Sequence, residues 1–307
     1  MFSLIKKNKK KISVITWDAN FRESHHTIDY FARQAFSDIE YELIWVDFYD
    51  SNDLIKNKIS QYRNFKLHIL GNTNSAKWHL GVCINEGVKM SSGEVIVIPD
   101  GDIAVDDDFL TYIWNEHRER DDLVVYFRRY DEPRENSCEK SRRDISYLKE
   151  SSRLTSRLNY GGCLSLKRIN FEKINGYETH SVFAGPGMNG METYVRLRNL
   201  GLSIKWAKDK RIYHPWHADT LGSGFSDSKR KEIQVLKLAK IDFPWINPGH
   251  LEQSWVSFCR EAHLSWRANK DECERFLSQL PFIDLNLYEE IDSYRNSKLC
   301  QGYKRKN

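Results

Sequence analysis

The sequence predicts an α/β protein: a mostly parallel sheet flanked by helices, followed by a helical C-terminal extension. Three observations predict it. Val95-Ile96-Val97-Ile98 is an unbroken β-branched run, the pattern of a strand buried on both faces. Short apolar runs of this kind alternate with segments of helical periodicity, which implies βαβ crossovers. Acidic residues stand where several runs stop, at Asp47, Asp100 and Asp102. Ligands of open α/β sheets bind at that carboxyl edge.

The elements follow in order. Ile12 to Thr16 reads as the first strand, and Trp17 to Glu23 as a polar loop after it. Ile28, Phe31, Ala32, Ala35, Phe36 and Ile39 recur at helical spacing. Tyr41 to Val46 is a second strand ending at Asp47, and a helix around Leu54 to Tyr62 leads to a third strand over Lys66 to Leu70. A helix from Ala76 to Met90 returns to the central strand, which Pro99 stops. Beyond it, Phe109 to His117 reads as a helix and Leu123 to Phe127 as a strand. The run from Arg128 to Arg157 is basic with acids interspersed and reads as a solvated loop. Tyr160 to Leu166 is a strand entered through Gly161-Gly162, where paired glycines suggest close approach to a ligand or a neighbouring strand. Ile169 to Ile174 is a short helix with Asn175-Gly176 as its C-cap signal. The loop Gly185 to Gly190 opens a helix that ends at Gly201, and short strands at Leu202 to Trp206 and Arg211 to Tyr213 lead to His214-Pro215-Trp216-His217. From residue 223 the spacing suggests only helices, a cover for the catalytic domain or a dimer contact.

Composition narrows the function classes. A net charge of +4 makes no global case for nucleic acid, which leaves the Arg128 to Arg157 run as the one local argument for it. The six cysteines form no paired metal motif, and Cys83 and Cys163 sit in apolar segments as expected of reduced core residues. No apolar run reaches the roughly 18 residues of a membrane span. Met1 to Ile5 runs at once into lysines rather than into a secretory h-region. A cytoplasmic protein is expected, with the lysine cluster able to touch the inner face of a membrane.

The chemistry centres on Asp100-Gly101-Asp102. Two carboxylates on one tight turn can hold a divalent cation, which can neutralise a phosphate-bearing ligand. A nucleotide would lie beside Thr16, Asp47 and Asp100.

In this order, the pieces resemble a family 2 glycosyltransferase of the GT-A fold over residues 11 to 217. The second half is similar to the galactosyltransferase-type region of β-1,4-galactosyltransferases and bacterial chondroitin-type polymerases. The expected layout is a basic tail over 1–10, a domain over 11–222 that the resemblance makes a glycosyltransferase, and a helical extension over 223–307. It implies that the opening loop, with Thr16, Asn20 and Arg22, contacts the nucleotide, and that Asp47 reaches the uracil. Phe48 stands where a second acid is usual, and Ile84 where an Arg is usual, so Lys77 or His79 would contact the diphosphate. Asp100-Gly101-Asp102 matches the Asp-x-Asp motif, and Tyr160-Gly161-Gly162 with Ile174 to Glu178 matches the donor-sugar and acceptor segment. Arg211-Ile212-Tyr213-His214 matches the segment that supplies a His ligand. Asp100, Asp102 and His214 are then the metal ligands, with His217 as the competing imidazole. A site with an imidazole tolerates Mn²⁺ better than an all-oxygen site would, so Mn²⁺ or Mg²⁺ is expected. Anchoring on Arg196-Leu197 puts the family's acidic pair on Asn189-Gly190 and a later acid on Glu192, the expected general base. Inverting transfer of a hexose or N-acetylhexosamine from a UDP-sugar to a glycan, lipid-linked or not, follows as the implied activity. Two other readings stand beside it. One is a catalytically impaired sugar-nucleotide-binding or scaffold protein, motivated by Asn189-Gly190. The other is a nucleotidyltransferase, which the absence of glycine from Thr16 to Glu23 opposes.

Overall fold

The computed structural model describes residues 10–38, 40–50, 53–179, 183–185 and 189–218. The expected basic tail, Ile39, and the helical extension with its dimer contact lie outside the described residues.

Eight strands form one mixed sheet. β1 (Ile12–Asp18), β2 (Tyr41–Asp47), β3 (Phe65–Ile69) and β4 (Val95–Pro99) are mutually parallel, in the order β3-β2-β1-β4. The helices between them are α1 (His26–Ala32), α2 (Asp53–Ser60) and α3 (Leu80–Met90). After α4 (Phe109–His117), β5 (Leu123–Asp131) runs parallel to β4 but is separated from it by the reversed strand β7 (Cys163–Lys167). β8 (Ser203–His214) pairs parallel with β5 on its other side. The carboxyl ends of β1, β2, β4, β5 and β8 therefore open on one edge.

The apolar runs are unbroken because both sheet faces are covered. Val95 and Val97 of β4 point into a core shared with Ile28, Phe31, Phe109 and Ile113. Ile96 and Ile98 point the other way, into a core with Ile84, Val88, Phe171 and Leu197. The last of these come from α3, from α6 (Arg168–Lys173) and from α7 (Asn189–Asn199). α6 stops as its sequence predicts, with Asn175 and Gly176 both in the left-handed region, at φ 55° and 71°. Asn85 of α3 clamps that turn: its side chain donates to the Tyr177 carbonyl at 2.9 Å and accepts from the Tyr177 amide at 2.8 Å.

Two expectations about elements need correction. The basic run is not a solvated loop. β5 continues through Asp131, and two 3-10 turns follow at Arg134–Asn136 and Glu139–Arg142. Then come α5 (Ile145–Ser151) and β6 (Arg153–Ser156), which pairs back on β5. The interspersed acids neutralise the arginines and lysines locally, as in Arg129–Asp131 at 2.9 Å, Arg142–Glu23 at 3.1 Å and Lys149–Asp106 at 2.5 Å. The two short strands near the end are one strand, β8, whose register on β5 shifts between Phe127 and Arg128 so that Lys208-Asp209-Lys210 bulge out. Cys83 and Cys163 are free and buried, as expected.

One buried histidine gives the fold a pH signature. His117, at the end of α4, is fully buried, with its Nε2 2.9 Å from Ser165 Oγ. Burial and the nearby Lys167 lower its pKa from 6.5 to about 4. Above pH 6.5 it is neutral folded and unfolded, so it exacts no penalty. As pH falls from 6.5 towards 4, the unfolded chain takes up a proton that the folded chain refuses, and stability drops by up to roughly 3 kcal/mol. His117→Gln is expected to flatten that limb. Urea unfolding between pH 4.5 and 8 checks it; equal slopes in variant and wild type would refute the assignment.

Candidate active site

The site is built where β4 ends. Its last residue, Pro99, still pairs with Cys163 of β7, and the Asp100 amide then donates to the Gly162 carbonyl at 2.9 Å. The chain turns through Gly101, where a side chain would meet Arg22 Nε at 2.7 Å and the Trp17 carbonyl at 3.0 Å. The missing side chain lets the Arg22 guanidinium lie against the acidic turn. Arg22 is ion-paired with Asp102 and sits 3.7 Å from Asp18. It also stacks over the Trp17 and Phe21 rings. The turn is fixed from the far side by α1. His26 Nε2 lies 2.8 Å from the Asp102 carbonyl, and Thr27 Oγ1 donates to the Ile103 carbonyl at 2.6 Å.

The histidines arrive on β8. Ala104 and Tyr213 form an antiparallel bridge through paired amide–carbonyl bonds of 2.8 and 2.9 Å. That bridge brings the end of β8 alongside the acidic turn. His214 Nε2 stands 3.7 Å from Asp102 Oδ1, and His217 Nε2 stands 3.8 Å from Asp102 Oδ2. One ligand atom from each of Asp102, His214 and His217 lies within 4.8 Å of the others, the one such group among the described residues. Asp131, the last residue of β5, lies beside His214, with Oδ1 3.1 Å from Nδ1.

The electrostatics follow from this crowding. Burial acts to raise the Asp102 carboxyl, but Arg22, His214 and His26 outweigh it and hold the group well below the usual carboxylate range. Burial and then the neighbouring Asp102 push Asp100 up to about 6, against the pull of Arg22. Burial acts to lower His214, and its bonds to Asp102 and Asp131 more than offset that, raising it to about 9. A small cleft adjoins the group, lined by Arg22, Ser24, His26, Asp102, Arg142 and His217 among others.

Of the expected metal ligands, the structure therefore brings Asp102 and His214 together. Asp100 stands outside the convergent group, and His217, the expected competitor, stands inside it. Around the nucleotide loop, Thr16 is fully buried, and its hydroxyl has no hydrogen-bond partner among the described residues. Asn20 is exposed and left-handed at φ 58°. Asp47 is fully buried at the tip of β2, in register with Asp18. Lys77 is exposed, and its neighbour Trp78 packs on Trp17 with ring centroids 5.0 Å apart, so that loop borders the nucleotide loop. His79 is buried, and Ile84 is wholly in the core. Gly161 is exposed with open space around it, whereas Gly162 packs against the Asn159 side chain. Tyr177 is buried in the core. Trp206 is half-buried in a cluster with Tyr126, Tyr160 and Tyr194, and Trp216 lies under Arg134.

Glu192 differs from the expectation of a general base. It is 1% exposed and Arg196 is 0% exposed. Arg196 Nε donates to Glu192 Oε1 at 2.6 Å, and Arg196 Nη2 donates to Oε2 at 2.8 Å. The guanidinium also donates to the Ile174 and Gly176 carbonyls. The i, i+4 spacing that makes Glu192 look like a helix-start acid is what pairs it with Arg196. In this arrangement the carboxylate joins α7 to the α6 turn. Nor is the missing acid at position 190 a simple gap. A side chain on Gly190 would overlap the Tyr160 carbonyl and Gly161 Cα. Gly190→Asp is thus expected to destabilise the fold by about 3 kcal/mol through overpacking rather than supply a base. Thermal unfolding with a transfer assay checks this, and unchanged stability with a gain in turnover would contradict it.

The sequence reading missed Asp18 and Asp131. Asp18 is buried, 3.7 Å from both Arg22 and His25. Its signal was the Asp18–Arg22 spacing. Asp131 was hidden because the strand was ended at Phe127.

A Rossmann-like sheet with an acidic turn at its carboxyl edge and a reversed strand beyond it has the architecture of the GT-A glycosyltransferases. The model of the family described as Glycosyl transferase family 2 matches residues 25–183, and the chain belongs to that family. The match ends before α7 and β8. No curated protein matches the sequence. Among solved structures it is similar to S. aureus TarS 1-349 in complex with UDP, at 17% identity and a TM-score of 0.55, covering 96% of this chain and 93% of that one. The same TarS fragment with UDP-GlcNAc gives a TM-score of 0.54 at 17% identity and the same coverage. It is also similar to the mannosyltransferase PcManGT from Pyrobaculum calidifontis in complex with GDP-Man and Mn²⁺, at 14% identity and a TM-score of 0.50, covering 96% of this chain and 83% of that one. At these identities the likeness shows the fold. Among the described residues, no helix is long and apolar enough to cross a membrane.

Proposed function

We propose that this glycosyltransferase moves a hexose or N-acetylhexosamine from a UDP-sugar to a glycan acceptor, with inversion, in surface polysaccharide or lipid-linked glycan assembly. The observation that carries the reading is the meeting of Asp102 with an imidazole from β8 at the carboxyl edge of the sheet. That donor set, one carboxylate with neighbouring imidazole nitrogens, fits a divalent cation, Mn²⁺ or Mg²⁺, held by Asp102 and His214 with Asp100 beside them. Such an ion would neutralise charge developing on the departing diphosphate. The protein's own groups do the rest. Asp47 at the tip of β2 and Thr16 near the end of β1 take the base and ribose, and Asn20 shapes the loop after β1. Arg22, with Arg142 across the cleft, attracts the phosphates, and Lys77 adds charge from the loop beside the nucleotide loop. Gly161, with open space around it, lets the donor sugar approach the backbone. Glu192 serves as base only if Arg196 releases one of its oxygens.

A second reading is favoured by a specific observation. The Glu192–Arg196 pairing and the packing of Gly190 on Tyr160 leave the start of α7 without an uncommitted acid, as expected of a sugar-nucleotide-binding protein without turnover. A cytoplasmic location, membrane contact through 1–10 and dimerisation through 223–307 belong to the same proposal.

The test is a thermal-shift screen of UDP-hexoses and GDP-sugars with and without Mn²⁺, followed by transfer assays. A donor at a hundred times its Kd stabilises by about 2.7 kcal/mol. Metal-dependent stabilisation by one UDP-sugar, with turnover, is expected. Stabilisation without turnover selects the second reading, and no stabilisation by any nucleotide overturns both.

A further inference from the structure

The segment between β5 and β6 carries charge that the site described above does not use. Over residues 128–157 the ion pairs engage Arg129, Arg142 and Lys149 and stop there. Arg128, Arg134, Lys140, Arg143, Arg153 and Arg157 form no ion pair among the described residues, and all but Arg128 are exposed. The buried Nε of Arg128 has no hydrogen-bond partner among the described residues either. The acids of the segment do not balance these six. Asp131 lies between Arg129 and His214. Glu132 is buried and accepts from the Trp216 amide at 3.0 Å. Asp144 caps α5 by accepting from the Ser146 and Tyr147 amides. That leaves Glu135, Glu139 and Glu150, all exposed.

The segment is moored to the active site. The Glu132 amide donates to the His214 carbonyl at 3.0 Å, and Ser141 Oγ donates to the Glu132 carboxylate at 2.5 Å. Those bonds set the two 3-10 turns against the chain from His214 to His217. Arg142 and Pro215 line the cleft together, and Arg142 reaches across to Glu23 of the nucleotide loop at 3.1 Å. The Arg134 guanidinium lies 5.3 Å from the centre of the Trp216 ring. An arginine laid on an indole keeps its N–H fork for a carboxylate or phosphate and is already ordered before the anion arrives.

We propose that this segment is a platform for the acceptor and that the acceptor is an anionic glycan. Arg134 on Trp216 would read its carboxylates or phosphodiesters, and Lys140 and Arg143, which flank Arg142 in the chain, would add charge. Nucleic acid offers the same phosphates, but the segment is fixed to the cleft beside the acidic turn, and that position favours the sugar acceptor. The inference rests on the transferase reading above for the ligand's being an acceptor. It rests on this surface alone for its being an anion.

The experiment uses the full chain and the fluorescence anisotropy of end-labelled probes, with and without UDP and Mn²⁺. Three oligomers of matched length are compared: an oligogalacturonate, a glycerol-phosphate oligomer and a neutral malto-oligosaccharide. One anionic probe at least is expected to bind about tenfold more tightly than the neutral one, and to weaken as NaCl rises from about 50 to about 300 mM. Which anionic probe binds distinguishes carboxylate from phosphodiester. Arg134→Ala should weaken that probe about tenfold, and Lys140→Ala with Arg143→Ala by a similar factor. Arg118→Ala, at the amino edge of the sheet, should bind like wild type. Arg134 is exposed, and unchanged thermal unfolding of its variant shows that the fold is intact. Equal binding of neutral and anionic probes, or no binding of either anionic probe, overturns the proposal. So does Arg134→Ala binding like wild type, a loss in Arg118→Ala as large as in Arg134→Ala, or single-stranded DNA bound as tightly as the best glycan. Metal-dependent UDP-sugar stabilisation with transfer to neutral glycans alone would sink this inference and leave the functional reading standing. Anionic-glycan binding with no response to any nucleotide would do the reverse.

Discussion

Replacing Asp102 with alanine is expected to abolish metal-dependent stabilisation by UDP-sugar and to lower transfer by about 10³-fold, or about 4 kcal/mol in the barrier. Two losses combine in this variant. The cation loses its one carboxylate in the convergent group, and Arg22 loses its closest acid while its side chain stays 5% exposed. A buried guanidinium stripped of a partner costs about 3 kcal/mol, softened here by Asp18 at 3.7 Å. The companion variant Arg22→Met separates the two effects. Combined with Asp102→Ala it should recover much of the fold's stability and none of the metal response. Melting curves with and without Mn²⁺ and UDP read both. A metal-dependent shift that survives in Asp102→Ala would remove this residue from the site.

Glu192→Gln makes the second large effect. The substitution is nearly isosteric, so a residue acting only as a base would lose turnover and keep its melting temperature. The structure predicts the reverse emphasis. Removing the charge leaves Arg196 buried without its counter-ion, which costs about 4 kcal/mol of stability. Restoring the balance with Glu192→Leu and Arg196→Met together should return most of that loss, since well-packed apolar replacements of buried pairs are often neutral. If Glu192→Gln melts like wild type and no longer turns over, Glu192 is the base and its pairing with Arg196 is not structural.

β2, β4 and β7 were easy to read because each is buried along its whole length and is bounded by a marked residue: Asp47, Pro99, Gly162. Local punctuation carried the Asn175-Gly176 cap equally well. What stayed hidden depends on pairing across the chain. Arg128 to Arg157 shows charge without periodicity, and only the acids it meets, Glu23 and Asp106 among them, explain why it is ordered. The site divides in the same way. Asp100-Gly101-Asp102 announces itself by spacing, and His214 by the segment it ends. His217 was set aside because Pro215-Trp216 separates it from His214, yet the turn through those residues folds the second ring back on the first. Asp131 is a single acid at a strand end, and nothing along the chain distinguishes it from a solvated one; Asp18 is marked only by its four-residue spacing to Arg22.

The Ala104–Tyr213 bridge joins segments made at very different times during synthesis. The acidic turn emerges early and the imidazoles come last among the described strands, so the group of Asp102, His214 and His217 is not assembled until β8 has docked on β5. Long-range pairings of this sort form slowly. If the proposed site takes a metal, its capture waits on the last described strand: both imidazoles reach the acidic turn only once β8 has docked.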